Sequence, residues 1–148
     1  MSPDYSPLRL DNQLCFPLYA ASREIIRQYR PALDKLNLTY TQYITMMVLW
    51  EQTRISVKDL GARLYLDSGT LTPLLKNLEA KGYLRRERSK ADERVLMVEL
   101  TDQGRALQDA CLPVPQYVGS CVALTPEEAA TLYHLLYKLL DQLDAKQG

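Results

Sequence analysis

Residues 59 to 104 read DLGARLYLDSGTLTPLLKNLEAKGYLRRERSKADERVLMVELTDQG, and within them the spacing of apolar residues changes from helical to alternating. Just upstream, Ser56 and Asp59 form a cap-like pair that opens a short helix, VKDLGARL, with Val57, Leu60 and Leu64 turned inward. Tyr65-Leu66-Asp67 is a tight link. Asp67 or Ser68 then caps a second helix, SGTLTPLLKNLEAKG, whose Leu71, Leu74, Leu75 and Leu78 share one face. Gly82 is a helix stop. YLRRERS and RVLMVELT follow as two strands around SKADE, a polar and basic tip. The tip lacks an Asn-Gly pair, so its loop should exceed two residues. A short helix, a tight turn, a second helix and a basic hairpin, in that order, predict a winged helix-turn-helix in a mainly α chain.

That arrangement has a partner in double-stranded DNA. Ser68, Thr70 and Thr72 are small polar residues at the start of the second helix, and Lys76 lies one turn on. Such an end can enter a major groove. Arg85, Arg86, Arg88, Lys90 and Arg94 on the hairpin can reach phosphates or an adjacent minor groove. Formal net charge is zero, which excludes a uniformly basic binder. The charge is nevertheless uneven. Residues 54–94 hold ten Lys/Arg against six Asp/Glu, and the remainder holds eight against twelve. A basic middle between acidic ends suggests one anion-facing surface.

Outward from this region, residues 1–11 should form an extended arm, followed by a helix from about 13 to 30 that ends before Pro31. Thr39 with Gln42 is a capping box for a helix starting at Tyr40, with Tyr43, Met46, Met47 and Trp50 as its apolar face. Thr101 starts another helix, and LPVPQYVGS must break or bend it. Thr125-Pro126-Glu127-Glu128 opens a last helix with Leu132, Leu135, Leu136, Leu139, Leu140 and Leu143 apolar. The 148 residues suit a single domain. Residues 13–35 and 102–146 would serve dimerisation, and 39–101 DNA binding.

Other classes are disfavoured. Three cysteines at wide spacing make no disulfide framework, and one histidine makes a zinc cluster improbable, so neither metal nor cofactor is expected. No long apolar span predicts a membrane helix, and the N-terminus does not resemble a signal peptide, so the expected location is the cytoplasm.

The run from Asp59 to Gly104 resembles the core of the multiple antibiotic resistance regulator (MarR) family. Its Asp92-x-Arg94 pattern, followed by Val98-Glu99-Leu100-Thr101, resembles that family's wing signature. The resemblance implies a homodimeric repressor on a pseudo-palindromic operator. Arg94 would be the wing-tip arginine in the minor groove, and Asp92 would stabilise the hairpin. LCFPLYAASREIIRQY and LTYTQYI are further similar to the organic hydroperoxide resistance regulators within the family. That likeness implies Cys15 as a peroxide-sensing thiol, Tyr29 and Tyr40 as its hydrogen-bonding phenols, Tyr19 nearby, and an organic hydroperoxide as inducer. It also allows a resolving cysteine in the C-terminal half. Cys121, beside Gly119 and ahead of the Thr125 cap, is the first choice, and Cys111 the second.

Spacing adds a constraint of its own. Cys15, Tyr19, Ser22, Ile26 and Tyr29 keep to one narrow helical stripe. Cys15 and Tyr29 are nevertheless about 21 Å apart along a helix axis. They cannot touch within one helix, but they can if two copies cross antiparallel near Ser22, where Ala20, Ala21 and Ser22 are small. Phe16, Leu18, Met46 and Met47 would favour an organic peroxide. Two other expectations compete: a repressor answering to a non-covalent phenolic ligand, and a thiol peroxidase.

Overall fold

The computed structural model describes residues 1–147. The chain falls into two compact units, Met1–Val118 and Gly119–Gly148.

The first unit is helical around a small sheet. Its helices are α1 (Cys15–Asp34), α2 (Tyr40–Gln52), α3 (Val57–Leu64), α4 (Ser68–Ala80) and α5 (Asp102–Cys111), and α6 (Val114–Cys121) begins in it. The strands are β1 (Arg54–Ser56), β2 (Leu84–Arg88) and β3 (Leu96–Leu100). All pair antiparallel in the order β1-β3-β2, with Val98 opposite both Ile55 and Arg86. The expected hairpin thus carries a third strand. Thr53 ends α2 with a left-handed φ of 62°, and its carbonyl accepts the Leu100 N–H at 2.8 Å. This sets Arg54–Ser56 beside β3. Only Ile55 of β1 is buried, so no alternation was there to announce a strand.

Local signals explain most boundaries. Thr39 accepts the Gln42 N–H at 3.2 Å while the Gln42 side chain accepts the Thr39 N–H at 3.0 Å, so the capping box is complete. Ser56 accepts from Asp59 N–H, Asp67 from Thr70 N–H and Thr101 from Gly104 N–H. Gly82, with φ 85°, closes α4 as Tyr83 N–H returns to the Leu78 carbonyl at 3.1 Å. Thr39→Ala should cost about 1 kcal/mol, seen as a lower denaturant midpoint at unchanged slope.

Two expectations need correction. α1 does not stop before Pro31 but runs to Asp34. The ring removes one bond to the preceding turn. Burial of Leu33 and Leu38 holds the last turn, and Asn37, with φ 54°, ends it as Leu38 N–H bonds the Leu33 carbonyl. The arm is not extended either. It makes two 3-10 turns, Ser6–Leu8 and Leu10–Asn12, held by Asn12 on the Ser6 carbonyl (2.7 Å) and Gln13 on the Pro7 carbonyl (2.8 Å).

The core gathers around α2, with Met46, Leu49, Leu60, Leu78 and Val98 fully enclosed. Tyr43 joins them, whereas Met47 faces outward and Trp50 is half-buried with its Nε1–H on the Gly104 carbonyl at 2.9 Å. In the second unit, α7 (Pro126–Gln147) starts at a complete Thr125–Glu128 capping box. Leu132, Leu135, Leu139 and Leu143 are exposed within the single chain. No described helix is long and apolar enough to cross a membrane.

Candidate nucleic-acid interface and thiol site

The turn between α3 and α4 depends on close backbone approach. Tyr65 takes a left-handed φ of 56°, and Leu66 N–H bonds the Gly61 carbonyl at 3.0 Å. A Cβ on Gly61 would lie 2.9 Å from the Leu66 carbonyl oxygen, so glycine is required there. Asp67 then caps α4 at 2.7 Å, and that backbone bond holds its carboxyl below the usual range. Leu71, Leu74, Leu75 and Leu78 anchor one side of α4 in the core. Ser68, Thr72 and Lys76 are exposed along one stripe of the helix, and Thr70 is exposed at its N-terminal end.

The wing is built on Asp92. Its carboxylate accepts the Arg94 backbone N–H at 3.1 Å and the Arg94 side chain at 3.0 and 3.1 Å. Its carbonyl accepts Val95 N–H. The Arg94 side-chain bonds push the Asp92 carboxyl down and the Arg94 guanidinium up. Arg94 itself is 90% exposed in its side chain. Arg85, Arg88 and Lys90 are also exposed, with Arg85 3.5 Å from Glu99.

Arg86 is different. Its backbone N–H and guanidinium both bond the Glu79 carboxylate, at 2.8, 3.2 and 3.0 Å. The backbone bond first, then the guanidinium, lowers the Glu79 carboxyl. Arg86 therefore pins the wing to α4. The period-two alternation of β2 could have separated it from Arg85, though not from Arg88, which shares its face. Arg54 and Lys58, which no cap or hairpin pattern singles out, line an open cleft between the start of α3 and the wing together with Ser56, Arg94 and Leu96.

The residues expected to form the thiol site divide between the two ends of α1. Cys15 is its first residue and is exposed, amid exposed Leu14, Phe16, Leu18 and Tyr19. The Tyr19 hydroxyl accepts from Arg23 at 3.2 Å. At the far end, Tyr29 packs on Tyr40 of α2 with ring centroids 4.9 Å apart. Tyr43 completes the cluster at 5.9 Å from Tyr29 and 6.4 Å from Tyr40. Burial raises the Tyr29 phenol. Burial, then Tyr29, Cys111 and Tyr40, pushes Tyr43 up to about 12. Tyr43 was expected only as core. Its spacing of three from Tyr40 was the available signal. One chain thus joins Tyr29 and Tyr40 but leaves Cys15 about 21 Å away along α1. Of the other thiols, Cys111 is buried, which raises its pKa, and Cys121 is exposed.

These features have close counterparts. A model of the transcriptional regulator SarA/Rot family matches residues 27–111. The organic hydroperoxide resistance transcriptional regulator of Bacillus subtilis is 44% identical over 146 residues, covering 99% of both chains. The chain is a MarR-type regulator of the organic hydroperoxide resistance branch. Among solved structures, reduced AbfR bound to DNA superposes with a TM-score of 0.78 at 35% identity, covering 95% of this chain and 96% of that one. Overoxidised AbfR bound to DNA gives 0.75 at 38% (92% and 96% covered), and disulfide-formed AbfR 0.64 at 38% (90% and 93%). AbfR is a protein of Staphylococcus epidermidis. A cysteine-to-serine mutant of MarR from E. coli, complexed with operator DNA, gives 0.81 at 27%, covering 94% and 99%. This regulator is accordingly a DNA-binding winged-helix protein of a transcriptional regulator family, not of an enzyme family.

Proposed function

We propose that the regulator is a redox-sensing repressor. As a homodimer it binds a pseudo-palindromic operator when reduced, and it releases when organic hydroperoxide oxidises Cys15. The observation that carries the proposal is the separation within one chain: Tyr29 and Tyr40 packed at 4.9 Å, Cys15 exposed at the opposite end of α1. A two-fold partner crossing antiparallel brings each Cys15 to the other chain's tyrosine pair. The exposed apolar residues of α1 and α7 are the surfaces such a dimer would cover.

In the reduced dimer the phenol O–H groups donate to the Cys15 thiolate, and the positive end of α1 favours the anion. The thiolate attacks the peroxide; an S–O bond forms, the O–O bond breaks, and the alkoxide leaves as alcohol after taking a proton. The product is a sulfenic acid. The partner's Cys121 thiolate attacks its sulfur; an S–S bond forms, the S–O bond breaks, and hydroxide leaves as water after taking a proton. Exposure favours Cys121 for this role, since Cys111 is buried and burial raises its thiol pKa. In the AbfR comparison the disulfide form superposes less well than either DNA-bound form, including the overoxidised one.

On DNA, the exposed face of α4 (Ser68, Thr70, Thr72, Lys76) enters the major groove, and Arg94 on its Asp92 support enters the minor groove. Arg85, Arg88 and Lys90 meet phosphates, and Arg86 acts by holding the wing in place. Arg94→Ala should weaken operator binding by about 1–3 kcal/mol. Lys90→Ala should instead lower the salt dependence by about one unit of slope without changing sequence preference. Anisotropy titrations at several salt concentrations read both.

Non-reducing gels test the thiol assignment. Cumene hydroperoxide should give a covalent dimer in wild type and in Cys111→Ser, and none in Cys15→Ser or Cys121→Ser. A dimer that persists in Cys121→Ser and vanishes in Cys111→Ser would reverse the assignment.

A further inference from the structure

One cluster of polar groups is used neither by the thiol chemistry nor by the DNA-facing surface. Gln42 is 7% exposed and lies between Tyr40 and Tyr43 in sequence. Its Oε1 accepts the Thr39 N–H at 3.0 Å and the Lys81 Nζ at 3.2 Å, and its Nε2 donates to Asn77 Oδ1 at 2.8 Å. Lys81 Nζ also donates to the carbonyl of Asn37, the left-handed residue that closes the α1–α2 turn. Asn77 lies in the last turn of α4, and Lys81 is its C-cap. Three elements therefore meet at the Gln42–Lys81 pair: the end of the α1 turn on Lys81, the first turn of α2 on Gln42, and the C-terminal end of α4 on both.

Every polar capacity of the Gln42 amide oxygen and one of its N–H groups is engaged, so the joint tolerates little independent motion of its parts. Burial makes a break costly, because Gln42 would be left with unmatched donors and acceptors. The first turn of α2 also carries Tyr40, whose ring is fixed against Tyr29. A shift of Tyr40 is thereby a shift of the α2 start, and the amide passes it to the far end of α4.

We infer that Gln42 and Lys81 are positioning residues: a polar latch that sets α4 relative to the tyrosine pair and transmits the state of the thiol site to the DNA-reading helix. The inference rests on the redox-sensing function proposed above. It assigns a specific route to the coupling, and coupling between two sites requires an element whose position both sites bias.

The informative quantity is the ratio of operator Kd after cumene hydroperoxide to operator Kd before it. Lys81→Met removes both bonds from the ammonium and leaves the DNA-facing residues untouched. Its reduced Kd should stay within about threefold of wild type, while the ratio falls at least about fivefold. Lys81→Arg, which keeps a cationic donor, should restore the ratio. Asn77→Ala, on an exposed position, removes only the Gln42–Asn77 bond and should lower the ratio by a smaller factor. It keeps the test decisive if Lys81→Met does not fold. A ratio equal to wild type in both variants, or equal weakening of both Kd values with no rescue by arginine, would overturn the latch. A wild-type ratio of one would instead overturn the redox function itself and the latch with it.

Discussion

Cys15→Ser is expected to bind operator as tightly as reduced wild type and to remain bound when cumene hydroperoxide is added. Serine keeps a similar size and puts a hydroxyl in place of the thiol at the first position of α1, where the side chain is exposed, so the helix should be undisturbed. What it cannot do is attack the O–O bond and form a sulfenic acid. Wild type should lose affinity by the size of a typical allosteric coupling, about 5- to 150-fold. The variant's change should stay under about twofold. Fluorescence anisotropy with a labelled operator, before and after oxidant, measures both. Release that persists in Cys15→Ser would point to a non-covalent ligand elsewhere in the protein.

Gly104→Ala should cause a larger stability loss than alanine at Gly61, Gly69 or Gly119. Gly104 stands at the third position of α5, where its N–H bonds Thr101 Oγ1 at 3.0 Å and its carbonyl accepts Trp50 Nε1–H at 2.9 Å. The Thr101 hydroxyl in turn donates to the Gly82 carbonyl at 2.6 Å. A Cβ at 104 would lie 2.1 Å from the Tyr83 carbonyl oxygen and 2.8 Å from Leu100 Cδ1. Backbone cannot swing aside as a flexible side chain can, so α5 must back away from the β2 entrance and loosen the Trp50 bond. Overpacking of this kind costs about 1–3 kcal/mol, more than the roughly 1 kcal/mol alanine gains over glycine in a helix. A fall in melting temperature of several degrees at fixed protein concentration is the expected result. An unchanged melting temperature would show that the α5–wing junction is softer than its contacts imply.

The fold was legible where short-range chemistry determines it. Capping at Thr39, Ser56, Asp67, Thr101 and Thr125, and the stop at Gly82, are local hydrogen-bond patterns that a sequence spells out residue by residue. What was not legible depends on tertiary context. β1 exists because Thr53 turns the chain beside β3, and its three residues carry no period. α1 outlasts Pro31 because Leu33 and Leu38 are buried, a fact about the core rather than about proline. The arm curls because Asn12 reaches back to the Ser6 carbonyl and Gln13 to those of Pro7 and Arg9.

The site divides the same way. Lys76 and Arg94 could be read as surface cations from spacing alone. Arg86 looked equivalent to Arg85 and Arg88, yet it is committed to Glu79; alternation sets it apart from Arg85, while only the tertiary contact with α4 sets it apart from Arg88. Tyr43 and Gln42 read as one core residue and one cap. Only the packing of α1, α2 and α4 gives them company at the tyrosine pair and the α4 end. The stripe from Cys15 to Tyr29 was visible at once, and so was the impossibility of closing it within a chain.

Mixed dimers test the trans arrangement most directly. Wild-type chains are paired with chains carrying Cys15→Ser, Tyr29→Phe and Tyr40→Phe together, so that a single Cys15 remains. In the trans arrangement that thiol faces two phenylalanines, and its oxidation by cumene hydroperoxide should slow by about tenfold or more, the loss of two charge-assisted hydrogen bonds to the anion. The reciprocal dimer pairs Cys15→Ser chains with Tyr29→Phe/Tyr40→Phe chains. Its one Cys15 faces intact tyrosines across the interface and should react as in wild type. The opposite pattern, a fast first dimer and a slow second, would contradict a sensing site shared between two chains.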